Sequence, residues 1–361
     1  MGAAEGTEVR STHTGTQPPL AVAIDGGNSK TEVVVLAEAA GELVERARAI
    51  GVGSGAGPEA VVFAVSAVLR ESGIDPATVG SASAAVAGLD FPGDEAGYRA
   101  ALSELFPRAV VEVVGDAVAV LEAGAGLDEA LAIVCGAGLN AVARGPKGLA
   151  TVPALGWLSG DSGGGDELGR AAVRAAARAE DGRGPSTLLL GRVLAETVAS
   201  DTAELARAIR DGALSMRQVG ALAATVARTA ADGDAVAMEL LADSAGEALL
   251  LADVVVRRTW DGPSVPEGTL AILAGGLFAD AGFRDAVSAG LRERGFEPRP
   301  LEFRPVDGLV RALRERTSAS RTGDSRTDHS STDRSRTDHP STDHPRTDHP
   351  STDHRREGDS R

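Results

Sequence analysis

The stretch Asp25-Gly26-Gly27-Asn28-Ser29-Lys30-Thr31 lies between two apolar runs, residues 21–24 and residues 33–36. Both runs are typical of buried strands, so the sequence predicts a hairpin with a turn rich in glycine. Such a turn suits a nucleotide phosphate, because it supplies backbone N–H groups, hydroxyls and a cation from Gly26, Gly27, Asn28, Ser29, Lys30 and Thr31. The alternative is an ordinary tight hairpin in which glycine supplies a positive φ and the polar residues cap the turn.

Asp25 stands at the end of the first apolar run, directly before the two glycines. Mg²⁺ favours carboxylate oxygen as a ligand and keeps much of its own hydration when it binds to proteins. Asp25 is therefore a candidate to hold Mg²⁺ through water.

The chain after the hairpin alternates predicted strands with predicted helices, which indicates an α/β fold. A third strand from Leu43 would complete an antiparallel meander, and further buried strands are predicted at residues 83–87 and 110–114. The pattern then restarts, because a strand at residues 130–134 leads into a second glycine turn, Gly136-Ala137-Gly138-Leu139-Asn140, and a returning strand. This echo of the opening hairpin predicts two similar lobes that face each other across a cleft, although two glycine hairpins can also arise independently.

Asp116 follows the strand at residues 110–114 and precedes a helix predicted over residues 117–123. A carboxylate at the carboxyl end of an interior strand points into the crevice where α/β proteins bind their ligands. Asp116 is therefore a candidate functional residue. The alternative is that it only caps the helix that begins beside it.

Two glycine-rich loops are candidates to contact a substrate. Residues 51–56, which include Ser54, superficially match the dinucleotide-binding fingerprint, but they follow a meander strand and do not open a βαβ unit. A flexible loop that faces a sugar is therefore the favoured interpretation. Residues 156–166 carry Asp161, and they form either a loop that shapes the substrate site or an ordinary surface loop. Trp157 in this loop suits a sugar ring and a core position equally well.

The second half of the body is predicted to be helical between residues 186 and 260, with a break at residues 231–234. A buried strand at residues 270–273 then runs into Gly275 and Gly276. The missing side chains there would let an adenine ring lie close to the backbone. A plain turn from strand to helix is the equal alternative.

The sequence closes with a predicted short strand at residues 301–303, a helix at residues 306–316 and a low-complexity tail. From residue 317 onward a Thr-Asp-His unit recurs with almost no apolar residues between its copies, so nothing offsets the entropy of ordering this segment. Residues 317–361 and the small, polar residues 1–18 are therefore predicted to be disordered. Metal capture by the tail histidines is the alternative interpretation of the repeat.

Composition excludes several classes of function. The net charge of −16 argues against a nucleic-acid partner, and an ATP enzyme with this charge needs its cations concentrated locally. No apolar stretch of about 18 residues is present and residues 1–18 lack a signal-peptide pattern, so no membrane association is expected and the cytoplasm is the predicted location. The single cysteine, Cys135, excludes an internal disulfide.

The positions of the six histidines limit the chemistry of the body further. His13 lies in the front tail, and the other five lie beyond residue 317. A general base in the body therefore has to be a carboxylate or a less usual group, and histidine-ligated zinc is not expected there.

Five motifs, taken in order, resemble the BadF/BadG/BcrA/BcrD ATPase family, which includes the N-acetylglucosamine kinases and lies within the actin, hexokinase and Hsp70 superfamily. They are the opening turn, Gly115-Asp116-Ala117, the second glycine turn, Gly160-Asp161-Ser162-Gly163-Gly164-Gly165 and Ala274-Gly275-Gly276. The resemblance covers about residues 20–315 and implies an α/β fold of two actin-like, ribonuclease H-like lobes around a central cleft for ATP and a sugar. The lobes would span residues 19–117 and 118–316, with the last helix packing back on the first lobe.

The resemblance also implies roles for individual residues. The opening turn and the second turn, through Gly136, Ala137 and Gly138, would bind phosphates, while Gly275 and Gly276 would flank the adenosine. Asp116 would remove the proton from the 6-hydroxyl of an amino-hexose. Further substrate contacts would come from Ser54, Leu139, Asn140 and Asp161. The implied ligands are thus ATP, Mg²⁺ and a small-molecule amino sugar. A homodimer is a further possibility that the sequence does not decide.

Three positions depart from the family pattern. Ala137 stands in place of a threonine, and Ser162 stands where glutamate is common. An asparagine that contacts the sugar in the family is replaced near Gly55. These changes are compatible with a kinase but make its substrate less specific, so N-acetylglucosamine and glucosamine are both candidates. The second hypothesis is a protein that senses a sugar or nucleotide without transferring phosphate. The family's other branch, activators of radical dehydratases, needs two cysteines per chain for an iron–sulfur cluster, and Cys135 alone cannot supply them.

Overall fold

The computed structural model describes residues 19–27, 30–38, 41–51, 56–89, 91, 93–153, 163–262 and 264–324. Contacts within the chain divide it into one compact unit, Met1–Ser320, and a second unit, Arg321–Arg361. The elements that follow belong to the first unit, apart from the end of the last helix. No helix within the described ranges is long and apolar enough to cross a membrane.

The first half of the chain forms a five-stranded mixed sheet, which we call sheet A. Its strands, in chain order, are β1 (Leu20–Gly26), β2 (Lys30–Ala37), β3 (Glu42–Ile50), β4 (Val79–Val86) and β5 (Val110–Gly115). β1, β2 and β3 form an antiparallel meander, whereas β4 and β5 run parallel to β1, in the order β3-β2-β1-β4-β5. One face of the sheet is covered by α1 (Pro58–Glu71) and α2 (Asp94–Leu105), which share a core with the apolar side chains of β1 and β2.

The second half repeats this arrangement in sheet B. Its strands are β6 (Ala130–Cys135), β7 (Leu139–Gly145), β8 (Gly148–Thr151), β9 (Thr269–Ala274) and β10 (Phe296–Pro300), in the order β8-β7-β6-β9-β10. Here too a meander of three antiparallel strands is followed by two parallel ones. The predicted α/β fold with a second glycine hairpin that echoes the first is therefore confirmed.

One predicted strand is wrong. Residues 301–303 follow the last strand, and β10 itself covers Phe296–Pro300, a segment with two prolines that weakens any strand signal. β10 is the edge strand of sheet B and pairs only with β9, so each proline nitrogen can face away from the partner strand. The short edge strand β8 was not predicted.

A group of helices separates β8 from β9 and packs against one face of sheet B. The predicted break at residues 231–234 is confirmed, because the helix Ala223–Ala231 ends there and the side chain of Asp234 caps the next helix by accepting from the Ala237 N–H group. The helices are α4 (Gly165–Glu180), α5 (Leu189–Thr197), α6 (Thr202–Arg210), α7 (Met216–Ala221), α8 (Ala223–Ala231), α9 (Ala235–Thr259) and, after β9, α10 (Ala281–Glu293).

Two helices connect the halves of the molecule. α3 (Asp116–Ala125) directly follows sheet A, yet Val118 and Leu121 pack on side chains of sheet B. α11 (Pro305–Asp324) follows sheet B, yet Leu309 and Leu313 pack on sheet A. Each half of the chain thus supplies a helix that covers the sheet of the other half.

Gly308 lets the two connecting helices approach closely. A Cβ atom at Gly308 would lie 2.4 Å from the Ala123 backbone nitrogen and 2.5 Å from the Ala119 carbonyl oxygen, both in α3. Those distances are shorter than any van der Waals contact, so only glycine fits between α11 and the backbone of α3. The position of α3, and of Asp116 at its start, is therefore tied to α11.

Candidate active site

Asp25 and Asp116 lie at the same edge of sheet A. The register of the parallel strands places Gly26 beside Val86 and Val86 beside Gly115, so the residues that end β1, β4 and β5 are neighbours. Asp25 is 7% exposed, whereas Asp116 begins α3 and is half-buried. The Ala117 N–H group donates to Oδ1 of Asp116 over 2.8 Å, which fixes the orientation of that carboxylate.

The charge of Asp116 is part of the electrostatic surroundings of Asp25. Burial raises the pKa of Asp25, the ammonium group of Lys30 lowers it, and the charges of Asp116 and Glu32 raise it, with a net increase from 3.8 to about 6. A buried carboxylate whose ionisation is opposed by a neighbouring carboxylate is an arrangement that a cation would relieve. This edge of the sheet is therefore prepared for a positively charged ligand.

We expect Asp25→Asn to stabilise the protein at neutral pH and to lose that effect in acid. Below pH 3.8 Asp25 is neutral in the folded and unfolded chains. Between pH 3.8 and about 6 only the unfolded chain ionises, and at higher pH the folded chain bears the whole cost of a buried charge. The gain in free energy of unfolding should thus reach roughly 3 kcal/mol near pH 7.5 and fade toward pH 4.

Urea unfolding without nucleotide and with EDTA, at several values of pH, measures this gain. Asp128→Asn is the matched control, because Asp128 is exposed and lies just beyond the other end of α3. A gain for Asp25→Asn that is independent of pH would contradict the proposed cost of ionisation.

The second glycine turn packs against the start of α4. The Gly136 N–H group donates to the Gly138 carbonyl oxygen, while the Gly136 and Ala137 carbonyl oxygens accept from the N–H groups of Gly165 and Asp166 over 2.9 and 2.8 Å. A side chain at Gly164 would lie within 2.6 Å of this turn. Gly164 is thus required by close packing against the turn, and the turn leaves Ala137 and Gly138 exposed.

The third glycine segment lies beside the second. β6 and β9 are parallel, and their register places Val134 next to Ala274, so the turns that follow the two strands are neighbours. Gly275 has a φ of 106°, and a Cβ atom there would lie 2.2 Å from the Cys135 carbonyl oxygen. Gly276 faces open space. Both glycines are exposed, and the open space beside Gly276 would allow contact with a flat ring.

The remaining predicted site residues differ in accessibility. Lys30 is 39% exposed, whereas Thr31 and Leu139 are buried. The Oγ1 atom of Thr31 and the Oδ1 atom of Asn140 are buried without a hydrogen-bond partner in the described part of the chain. Any contribution of Leu139 to substrate binding would have to come from its backbone. Four predicted site residues lie outside the described residues, as does Trp157: Asn28, Ser29, Ser54 and Asp161.

The donor set for a metal is small. Within the described ranges, no three side chains of His, Cys, Asp or Glu are grouped to hold a metal ion. Asp25 and Asp116 are two carboxylates near each other, and Mg²⁺ is usually held by one or two carboxylates together with water and substrate phosphates. The residues present therefore fit Mg²⁺ better than a metal that needs a complete set of protein ligands.

The family model of the BadF/BadG/BcrA/BcrD ATPase family matches residues 22–308. The chain belongs to this family. The match spans both sheets and the three glycine segments described above, so the family resemblance drawn from the motifs is confirmed. Among curated proteins, none matches the chain in sequence.

Solved structures share the fold of this family member. A protein from Chromobacterium violaceum, provisionally named an N-acetylglucosamine kinase, is 22% identical with a TM-score of 0.62, over 82% of this chain and 99% of that one. A protein from Porphyromonas gingivalis with the same provisional name is 20% identical, with a TM-score of 0.59, over 82% of this chain and 99% of that one. A ROK family transcriptional regulator, described as a homologue of the E. coli MLC protein, is 14% identical, with a TM-score of 0.51, over 84% of this chain and 82% of that one. These likenesses show the two-lobed, actin-like fold.

One part of the site was missed by reasoning from the sequence. Glu32 is completely buried and binds the Lys30 ammonium group over 2.9 Å. A signal was present, because Glu32 is a charged residue inside the apolar strand that follows the opening turn. Its other partners are Arg46 and Arg48 on the neighbouring strand β3 and Arg304. Arg304 comes from a distant part of the chain, and no local pattern identifies it.

Proposed function

We propose that this chain is an ATP-dependent kinase that transfers the γ-phosphate of ATP to the 6-hydroxyl of an amino-hexose, either N-acetylglucosamine or glucosamine. The observation that carries the proposal is the pair Asp25 and Asp116 at one sheet edge, beside Lys30, in a member of an ATPase family. The provisional names of the two structural neighbours suggest the amino sugar.

Asp116 is proposed as the general base. It would accept the proton of the 6-hydroxyl as that oxygen bonds to the γ-phosphorus, while the bond from phosphorus to the bridging oxygen breaks and ADP leaves. Its half-buried carboxylate is held by the Ala117 N–H group at the start of α3. The described body offers no histidine for this step, so a carboxylate is the available base.

The other residues of the site would bind and orient the nucleotide. Asp25 would hold Mg²⁺ through water, and the ion would neutralise charge on the phosphates. Lys30 and the bare backbone of the glycine turns would contact phosphate oxygens, and Gly275 and Gly276 would lie against the adenosine. The predicted roles of Asn28, Ser29, Ser54 and Asp161 belong to the same proposal.

A panel of sugars tests the proposed activity. The full chain is incubated with ATP, Mg²⁺ and one hexose at a time, and ADP release is measured. We expect release with N-acetylglucosamine or glucosamine and none with their 6-deoxy forms, which lack the accepting hydroxyl. ADP release that no sugar increases would refute the proposal.

A sugar- or nucleotide-sensing protein is the second candidate function. Ala137 is exposed on the second glycine turn and brings no hydroxyl to it, and a transcriptional regulator is among the structures that share the fold. Calorimetry that detects sugar binding, together with no sugar-dependent ADP release, would favour this alternative.

A further inference from the structure

The buried side chain of Glu32 is surrounded by cations. Its Oε1 atom accepts hydrogen bonds from Nη1 of Arg304 over 2.7 Å and from Nη1 of Arg46 over 3.1 Å. Its Oε2 atom accepts from Nζ of Lys30 over 2.9 Å, and Nε of Arg48 lies 3.8 Å from the same oxygen. One carboxylate thus holds the lysine of the opening turn and three arginines.

These groups come from two widely separated parts of the sequence. β1, β2 and β3 place Asp25, Glu32 and Arg48 in one row across sheet A. Arg304 directly precedes α11, and Asp307 in the first turn of that helix accepts from Nη2 of Arg46 over 2.6 Å. The carboxylate of Glu32 therefore links the opening turn to the start of the helix that covers sheet A.

The buried carboxylate of Glu32 is the centre of a group of charged side chains. Four cations, Lys30, Arg46, Arg48 and Arg304, face the two carboxylates of Glu32 and Asp307. Burial would raise the pKa of Glu32, but the hydrogen bonds from Lys30, Arg46 and Arg304 lower it to about 2, so this carboxylate stays ionised. In a chain with a net charge of −16, four cations are thus concentrated around one buried carboxylate.

We propose that Arg304 is a positioning residue, which neutralises Glu32 together with Arg46 and so leaves Lys30 available to a nucleotide phosphate. This inference rests on the proposed function and extends it to a residue 272 positions from Glu32 in the sequence. Arg304 is not required to touch the nucleotide.

The geometry explains why Lys30 depends on Arg304. The two arginines occupy Oε1 of Glu32, so Lys30 shares only Oε2 and is 39% exposed. An ammonium group has three donors, so Lys30 can keep its bond to Glu32 and still donate to a phosphate oxygen. Without Arg304 a buried carboxylate would lose its shortest hydrogen bond and attract Lys30 more strongly, which would withdraw the ammonium group from the phosphate.

Calorimetric titration of the full chain with Mg²⁺ and a non-hydrolysable ATP analogue tests the inference. We expect Arg304→Gln to weaken nucleotide binding about tenfold, which is the scale of one charge-assisted hydrogen bond. In a Lys30→Met background the same substitution should change affinity less than about twofold, because the group through which Arg304 acts is gone. An effect that came only from net charge would persist in that background.

Two further variants keep the test decisive. Arg299→Gln is the matched control, since it removes an exposed arginine that pairs with Glu297 within β10, and it should leave nucleotide affinity unchanged. Adding Glu32→Gln to Arg304→Gln removes the carboxylate that competes for Lys30, so it should restore most of the affinity. If Arg304→Gln fails to fold, Arg46→Gln removes the other donor to Oε1 and takes its place.

The outcomes separate this inference from the proposed function. The wild type could bind nucleotide while Arg304→Gln lowers the affinity equally in the presence and absence of Lys30. That result would refute the positioning role and leave the kinase proposal intact. The same loss for Arg299→Gln would also refute it. A wild-type protein that binds no nucleotide would refute both.

Discussion

Asp116→Asn is expected to lower turnover about a thousandfold while leaving the affinity for ATP within about twofold. A positioned general base contributes about 10²–10⁴ to a rate, and an amide of the same shape cannot accept the proton of the sugar hydroxyl. The amide still accepts the Ala117 hydrogen bond that orients the side chain, so the start of α3 should keep its structure. Steady-state kinetics with the sugar found in the panel, together with nucleotide titration, measure both quantities.

Asp128→Asn is the control for this experiment as well, because it makes the same chemical change at an exposed position just beyond the other end of α3. Its turnover should equal that of the wild type. Turnover of Asp116→Asn within about fivefold of the wild type would exclude Asp116 as the base.

Gly308→Ala is expected to lower the free energy of unfolding by about 1–3 kcal/mol, the usual cost of an overpacked contact. The added methyl group would meet the backbone of α3 at Ala119 and Ala123, and backbone atoms cannot rotate away as the end of a long side chain can. α11 would have to move off α3, which carries Asp116. Urea denaturation measures the loss, and we expect turnover to fall with it.

Gly246→Ala is the matched control for Gly308→Ala. Gly246 lies in the middle of α9, is exposed, and a Cβ atom there would meet nothing within 4 Å. Alanine should therefore stabilise this helix by about 1 kcal/mol through its higher helix propensity. A stabilising effect of Gly308→Ala similar to that of Gly246→Ala would show that the two helices do not touch as described.

Features with local causes could be predicted from the sequence. The opening hairpin follows from two apolar runs around a glycine turn, and the helix break at residues 231–234 follows from Asp232, Gly233 and Asp234. Asp116 could be singled out because a carboxylate after a buried strand is conspicuous. The motif order was sufficient to identify the family.

Features that depend on distant partners could not be predicted. The partners of Glu32 include Arg304, which is far away in sequence and lies beside an ordinary helix start. β10 was misplaced because its two prolines are tolerated only at a sheet edge, and the edge is defined by the assembled sheet. The packing of α11 on sheet A was expected only from the family resemblance. The packing of α3 on sheet B could not be predicted, because α3 is buried on nearly all sides and its sequence does not show which sheet it covers.

The exchange of α3 and α11 between the two sheets also has a consequence for biosynthesis. During translation, sheet A is synthesised long before α11. The side of the sheet that carries Ala21, Ala23 and Val34 therefore stays uncovered by α11 until Leu309 and Leu313 have been made. The amino-terminal half should therefore not mature on its own, and a nascent chain that stops before α11 should be a substrate for chaperones and proteases.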